Sequence, residues 1–342
     1  MDALNRSFVI FGGNGFIGTH TALTLLAADA RNTIYLVDIR PPRTEVYARP
    51  IAEALSSGRA VFVQHDVRQA IPTDLLPQAE IVFNFAAIHR EPGHAPPEYF
   101  ETNLLGAEHV CDWATRTSSR KIVFTSSISP YGPSESQKDE RSVPTPESPY
   151  GSSKLAAEKI HLAWLAGDNA RKLVIIRPGV VFGPGEGGNV TRLVRSLVKG
   201  YFVYMGNRNT IKAGGYVKEL CQVMLFAMAY LQEHQQSFLL LNFSFGPTPK
   251  LQDFVRAIQK AAGLKRSPLS VPRSLLLGVS YPVSTLASVF GIKTPINPVR
   301  VRKLFRSTNV YPMRLEELGY RFRFSLEEAF EDWKKDLPED FA

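Results

Sequence analysis

Six short runs in the first half of the chain are nearly continuous in apolar, β-branched residues: SFVIFGG (7–13), TIYLVDI (33–39), AVFVQHDV (60–67), IVFNFAA (81–87), KIVFTSS (121–127) and KLVIIRPG (172–179). Runs of that length and character predict strands buried on both faces of a parallel sheet. Helical periodicity fills the gaps at 16–28, 97–117 and 150–165. Strand and helix in alternation predict an α/β fold, a doubly wound parallel sheet with helices on both sides. After Gly179 the alternation loosens. A glycine-rich stretch, VFGPGEGGN, leads into a helical run at 190–198, and a helix at 216–232 and a strand, SFLLLNFS (237–244), are expected to return to the sheet. The expected division is a large domain over 1–179, with 211–246 returning to it. A smaller C-terminal lobe, 180–210 and 247–342, lies over the carboxyl ends of the strands.

Composition narrows the setting. The 342 residues, 44% hydrophobic and 21% charged, can fill the cores of two lobes. Cys111 and Cys221 are too few for a disulfide framework and stand in no metal-ligand spacing. Both read as buried thiols in a reducing compartment, the cytoplasm, and no metal site is expected. The glycine turn at 12–13 interrupts the first apolar run too early for a secretory signal. No stretch is apolar for long enough to span a bilayer; the nearest, 275–292, is broken by Pro282 and by serines. The formal net charge is +8. The basic residues read as dispersed apart from Arg300, Arg302, Lys303 and Arg306, and no nucleic-acid-binding signature accompanies them, so no nucleic-acid partner is expected.

Candidate chemistry begins with GGNGFIG, which follows the first strand and opens the first helix. Gly12, Gly13, Gly15 and Gly18 satisfy both common spacings of a dinucleotide-binding turn, where the backbone must approach a pyrophosphate with no Cβ in the way. Phe16 and Ile17 then sit in the first turn of a helix whose free N–H groups and dipole favour phosphate. Asp38 ends the second strand twenty residues after Gly18, the position from which a carboxylate bonds ribose hydroxyls. That carboxylate repels a 2′-phosphate and favours NAD, while Arg40 and Arg43 leave NADP open by swinging in. Asp66, read as ending the third strand, is placed for the adenine amino group. Ile39, Arg40 and Val67 complete the expected cradle.

PYGSSK (149–154) places Tyr150 and Lys154 one turn apart on a helix face. A tyrosine is a poor base at its ordinary value of about 10. The lysine cation and a nicotinamide charge are expected to lower it. The phenolate then takes a proton from a substrate hydroxyl as hydride leaves the same carbon. Ser127, just past the fifth strand, is placed to bond the reacting oxygen alongside Tyr150.

Glycine turn, ribose acid, strand-end serine and Tyr-Lys helix stand in the order and spacing of one family. From Phe8 to Gly185 the chain resembles the extended short-chain dehydrogenase/reductases, the NAD-dependent sugar epimerase/dehydratase group, and the likeness is traceable to LGYRFRFSLEEA (318–329). The resemblance implies a Rossmann-type fold, a nucleotide-sugar substrate and a homodimer formed through the helices at 97–117 and 150–165. It implies that Phe85, Ala86, Ala87 and Asn103 line the cofactor, with Tyr150 and Lys154, and that Pro178 and Val180 meet its nicotinamide end. Asn189 and Val190 match a pair that touches the substrate nucleotide. Arg300, with Arg302 and Lys303, matches the place of a diphosphate-binding arginine. Lys218 and Glu219 replace the acids the family usually carries after Tyr216-Val217.

Dehydratases of this group follow the strand-end serine with Asp-Glu. Here Ile128 and Ser129 stand there, which leaves C4 epimerisation and 4-keto reduction. His89, in the loop AIHREPGH, is expected at the substrate. Two rivals remain: a 3β-hydroxysteroid or sterol dehydrogenase, with 275–292 as an interfacial helix, and a cofactor-sensing regulator. The complete Ser-Tyr-Lys set argues against the second.

Overall fold

The computed structural model describes residues 6–271 and 306–342, except Thr44 and Pro92. The seven expected strands form one parallel sheet: β1 (Arg6–Phe11), β2 (Asn32–Asp38), β3 (Ala60–Gln64), β4 (Ile81–Asn84), β5 (Lys121–Thr125), β7 (Lys172–Pro178) and β11 (Phe238–Phe243), in the order β11-β7-β5-β4-β1-β2-β3. The apolar runs form its interior because helices cover both faces. One layer packs around Ile10, Leu36, Phe83 and Val174, and the opposite layer around Val9, Phe11, Phe124 and Trp113. The chain leaves β1 in one direction and returns at β4 on its other side. A crevice opens at that reversal, at the carboxyl ends of the strands, where such sheets bind ligands.

The described α-helices are α1 (Phe16–Ala28), α2 (Arg49–Ser56), α3 (Pro96–Arg116), α4 (Pro149–Ala166), α5 (Asn189–Val198), α6 (Val217–Glu233), α7 (Leu251–Ala262), α8 (Met313–Glu317) and α9 (Leu326–Asp336). Helix α6 packs against α1, and β11 forms the sheet edge beside β7. A second core lies beyond the strand ends. Phe182 stacks on Phe330 at 4.7 Å, with Phe254, Val190 and Trp333 around them. Three short pairs tie loops together: β6 (Ser134–Lys138) with β13 (Thr308–Val310), β8 (Val180–Phe182) with β10 (Gly214–Tyr216), and β9 (Tyr204–Met205) with β12 (Ser270–Val271). Among the described residues no helix is long and apolar enough to cross a membrane. The stretch 275–292 and the basic residues Arg300, Arg302 and Lys303 lie outside the described residues.

Candidate active site

The glycine turn sits at the crevice. Gly12 has φ +77°, and a Cβ on it would lie 2.8 Å from the backbone nitrogen of Ala86; a Cβ on Gly18 would lie 2.3 Å from the Gly12 carbonyl. Only glycine therefore lets β1, the β4 end and α1 meet this closely. No side chain caps the N-terminus of α1, so its first-turn N–H groups are left for an anion. The turn, Phe16, Ile17 and the Phe85–Ala87 segment fit the pyrophosphate and ribose of a dinucleotide.

Asp38 is buried and oriented. Its Oδ2 accepts from the Asn14 backbone N–H at 3.1 Å and its Oδ1 from that of Arg40 at 3.0 Å. Ile39 and the Arg40 side chain are exposed beside it. Arg43 does not swing freely, contrary to the sequence expectation. Its Nη1 donates to the Gly185 carbonyl at 2.9 Å and to the Tyr47 hydroxyl at 3.1 Å, clasping the glycine-rich loop to the cofactor side. A 2′-phosphate would meet a buried carboxylate with one of its two candidate arginines already engaged. Asp38→Ser is expected to weaken NAD binding roughly ten- to a hundredfold, the range for a charged hydrogen bond, and to narrow the gap to NADP. Unchanged NAD affinity by calorimetry would remove Asp38 from the site.

At the chemical centre, Ser148 caps α4 by accepting from the Gly151 N–H at 3.1 Å, with Pro149 in the first turn. The helix thus starts where Tyr150 and Lys154 face the crevice. The Ser127 Oγ holds the next turn by donating to the Ser129 Oγ at 3.1 Å and accepting from its N–H at 3.1 Å. Burial pushes the Tyr150 hydroxyl up to about 12; hydrogen bonding to Ser127 opposes it, and Glu91 and Tyr99 add to the rise. The expected lowering needs the lysine cation and a bound nicotinamide charge to act against this burial. Lys154, 2% exposed, is itself pushed down to about 7 by burial, with Glu158 opposing. Burial therefore weakens the positive charge with which the lysine favours the phenolate.

Beneath the pair lies a buried foundation that sequence reasoning missed. The Lys154 Nζ sits 4.3 Å above the centre of the Phe124 ring, whose other partner is His161, stacked at 4.0 Å. Glu158, one further turn along α4, accepts from Arg177 at 2.8 and 2.6 Å and from the Ser126 hydroxyl at 2.6 Å. Both side chains of the ion pair are 4% exposed. Arg177 also lies over the ring of Tyr131, whose hydroxyl donates to Asn242. Spacing of i, i+4 from Lys154 was the available signal for Glu158; nothing in the sequence marked Arg177 or Phe124.

Most of the other expected site residues already have partners within the protein. Strand β3 stops at Gln64, so Asp66 lies beyond it, and its carboxylate is held by Arg68 at 2.5 and 2.9 Å. Val67 is buried in the core and its carbonyl accepts from His109. The amide of Asn103 is used on both backbone groups of Ile88 and on the Ser153 hydroxyl, so it holds the following loop to α4. Val190 packs into the second core, while Asn189 accepts from Arg192. Pro178 is buried at the end of β7 and Val180 is 40% exposed. The loop of His89 crosses the rim, with the Arg90 carbonyl held by the Tyr99 hydroxyl at 2.5 Å. Partial burial, then the charges of Arg90, Lys154 and Arg40, hold the His89 imidazole below its ordinary range. Arg300 lies outside the described residues. Glu219, where the family carries an acid, is buried and accepts from the Tyr320 hydroxyl and the Arg323 and Phe324 N–H groups, which anchors the C-terminal segment.

Residues 8–239 match the model of the family described as NAD dependent epimerase/dehydratase. Over 335 residues the chain is 24% identical to N-acetyl-alpha-D-glucosaminyl-diphospho-ditrans,octacis-undecaprenol 4-epimerase of Escherichia coli O157:H7, covering 96% of this chain and 94% of that one. It is 25% identical over 323 residues to 3beta-hydroxysteroid-dehydrogenase/decarboxylase isoform 1 of Arabidopsis thaliana, covering 87% of this chain and 72% of that one. Among solved structures, UDP-glucuronic acid 4-epimerase of Bacillus cereus in complex with NAD superposes with TM-score 0.74 at 18% identity, covering 98% of this chain and 100% of that one.

Proposed function

Because the chain belongs to the NAD dependent epimerase/dehydratase family, we propose that it is an NAD-dependent 4-epimerase of a diphosphate-linked sugar, a nucleotide-sugar such as a UDP-sugar. The observation that carries this reading is the Ser127, Tyr150 and Lys154 set at the crevice, with Ile128 and Ser129 in place of a dehydratase's acid pair. Tyr150 takes the proton from the sugar C4 hydroxyl and returns it; Ser127 holds the same oxygen; Lys154 supplies positive charge from below. The Gly12–Gly18 turn and Asp38 would hold NAD, which when bound would take the C4 hydride, return it to the other face of the 4-keto sugar and add the positive charge that favours the phenolate. A C4 epimerisation needs nothing more from the protein than room for the 4-keto sugar to turn. The alternative, a one-way 4-keto reduction, uses the same residues, and the curated 4-epimerases among the relatives favour epimerisation.

The lobe built around Phe182 and Phe330 would close over the sugar, with Asn189 at the start of α5 on its side of the crevice and His89 on the loop after β4 across from it; Arg300, the remaining substrate candidate, lies outside the described residues. Two copies would pair through α3 and α4, where Phe100 and Leu105 are exposed. Both cysteines are free and buried, in keeping with a cytoplasmic setting. The steroid reading keeps one observation, the Arabidopsis relative, and has less support than the sugar reading.

A thermal-shift titration of the NAD-loaded protein with UDP, GDP, dTDP and a sterol mimic tests the proposal. A ligand that binds only the folded state raises the melting temperature with its occupancy. Stabilisation by one nucleoside diphosphate is expected, and a shift with the sterol mimic alone would overturn the sugar reading.

A further inference from the structure

Positive charge on this chain is not dispersed once it is set against the acids. Residues 254–315 hold eleven Lys and Arg and no Asp or Glu, whereas the rest of the chain holds twenty-nine basic against thirty-two acidic residues. The whole net charge therefore comes from one segment of the sequence expected to form the small lobe. Such asymmetry within a chain points to a polyanionic partner.

The described part of that lobe adds an apolar face. Strands β9 and β12 pair in parallel, Tyr204 opposite Ser270 and Met205 opposite Val271. Tyr204 turns into the core, so the alternation of a strand sends Met205 and Val271 to the other side. Met205 is 43% exposed there, Leu269 75% and the nearby Tyr201 66%. These are three of the nine large hydrophobic side chains left exposed on the described surface, gathered on one two-stranded ribbon and its approach. Lys199, Arg208, Lys265 and Arg266, within four residues of them along the chain, are exposed, and none is ion-paired among the described residues.

We propose that this face docks on an anionic lipid bilayer. Aliphatic and aromatic side chains enter the headgroup boundary while the long basic side chains reach the lipid phosphates beside them. A second copy of the same face is a poor partner, because like charges would meet. A nucleic acid would use the cations and leave Leu269 and Met205 without a role. Docking stands independently of which sugar the crevice takes.

The test is co-sedimentation of the full-length, NAD-loaded protein with vesicles of phosphatidylcholine alone or mixed with phosphatidylglycerol, at low and high salt, with turnover on the sugar substrate measured separately. Binding is expected only to the mixed vesicles and weakens with salt. Lys265→Glu with Arg266→Glu should lower vesicle affinity by at least roughly thirtyfold, since two cations near a surface are lost. Met205→Ser with Leu269→Ser should weaken it at unchanged charge. Turnover should survive in both variants. Absence of wild-type binding to mixed vesicles overturns the proposal. So does a serine variant that binds as well as wild type while inorganic polyphosphate displaces both, which would mark a general polyanion face.

Discussion

Tyr150→Phe is expected to lower turnover by on the order of a hundred- to ten-thousandfold, the contribution of a positioned acid/base group. The substitution removes one oxygen and little else. The Tyr150 ring packs near Tyr99 with 6.1 Å between centroids, and phenylalanine keeps that contact. Ser127 retains its partners on Ser129, and the N-cap at Ser148 is untouched. NAD affinity and melting temperature should therefore stay close to wild type, because no buried polar group is orphaned. The pH dependence has a definite sign. With its hydroxyl pushed up to about 12 by burial, the tyrosine stays protonated through the neutral range until NAD adds its charge. It is thus a loaded acid and a base that improves as pH rises, so the oxidative half-reaction should accelerate with pH. A Tyr150→Phe protein with near-normal turnover would refute the mechanism.

Glu158→Ala should destabilise the fold by about 3–5 kcal/mol, the range for breaking a buried ion pair by removing one partner. Arg177 would be left as a buried cation over Tyr131, and Ser126 would lose its acceptor. Glu158→Gln keeps shape and some hydrogen bonding but removes the charge, and should fall between. It also reaches Lys154, whose value Glu158 holds up against burial. The lysine is depressed below 10.5 in the fold, so its burial costs stability in full below about pH 7. That cost is relieved as pH rises from about 7 toward 10.5. In Glu158→Gln the relief should begin at lower pH. Urea melts across about pH 6 to 9 would show this, and an unshifted profile would mean that Glu158 supports Arg177 alone.

The Tyr-Lys pair was legible because helical spacing is local: Tyr150 and Lys154 share a face whatever the rest of the fold does. The seat beneath them was not. Phe124 and Arg177 come from neighbouring strands, and only the sheet order, β5 beside β7, sets them under α4. The same limit explains Val67 and Asn103. Each stands at a position expected to line the cofactor, and only the fold shows that the Val67 side chain packs in the core and that the Asn103 amide ties Ile88 to Ser153.

Period and punctuation along the chain determined seven buried strands, the helices between them, the Gly12–Gly18 turn and the acid at Asp38, because each depends on residues a few positions apart. Tertiary structure decided what depends on distant residues meeting. It made β1 and β4 neighbours around the crevice and tied Arg43 to Gly185. It also buried Tyr150 and Lys154, which pushes the tyrosine up and the lysine down. Desolvation is set by everything packed around a group, and no stretch of sequence carries that sum.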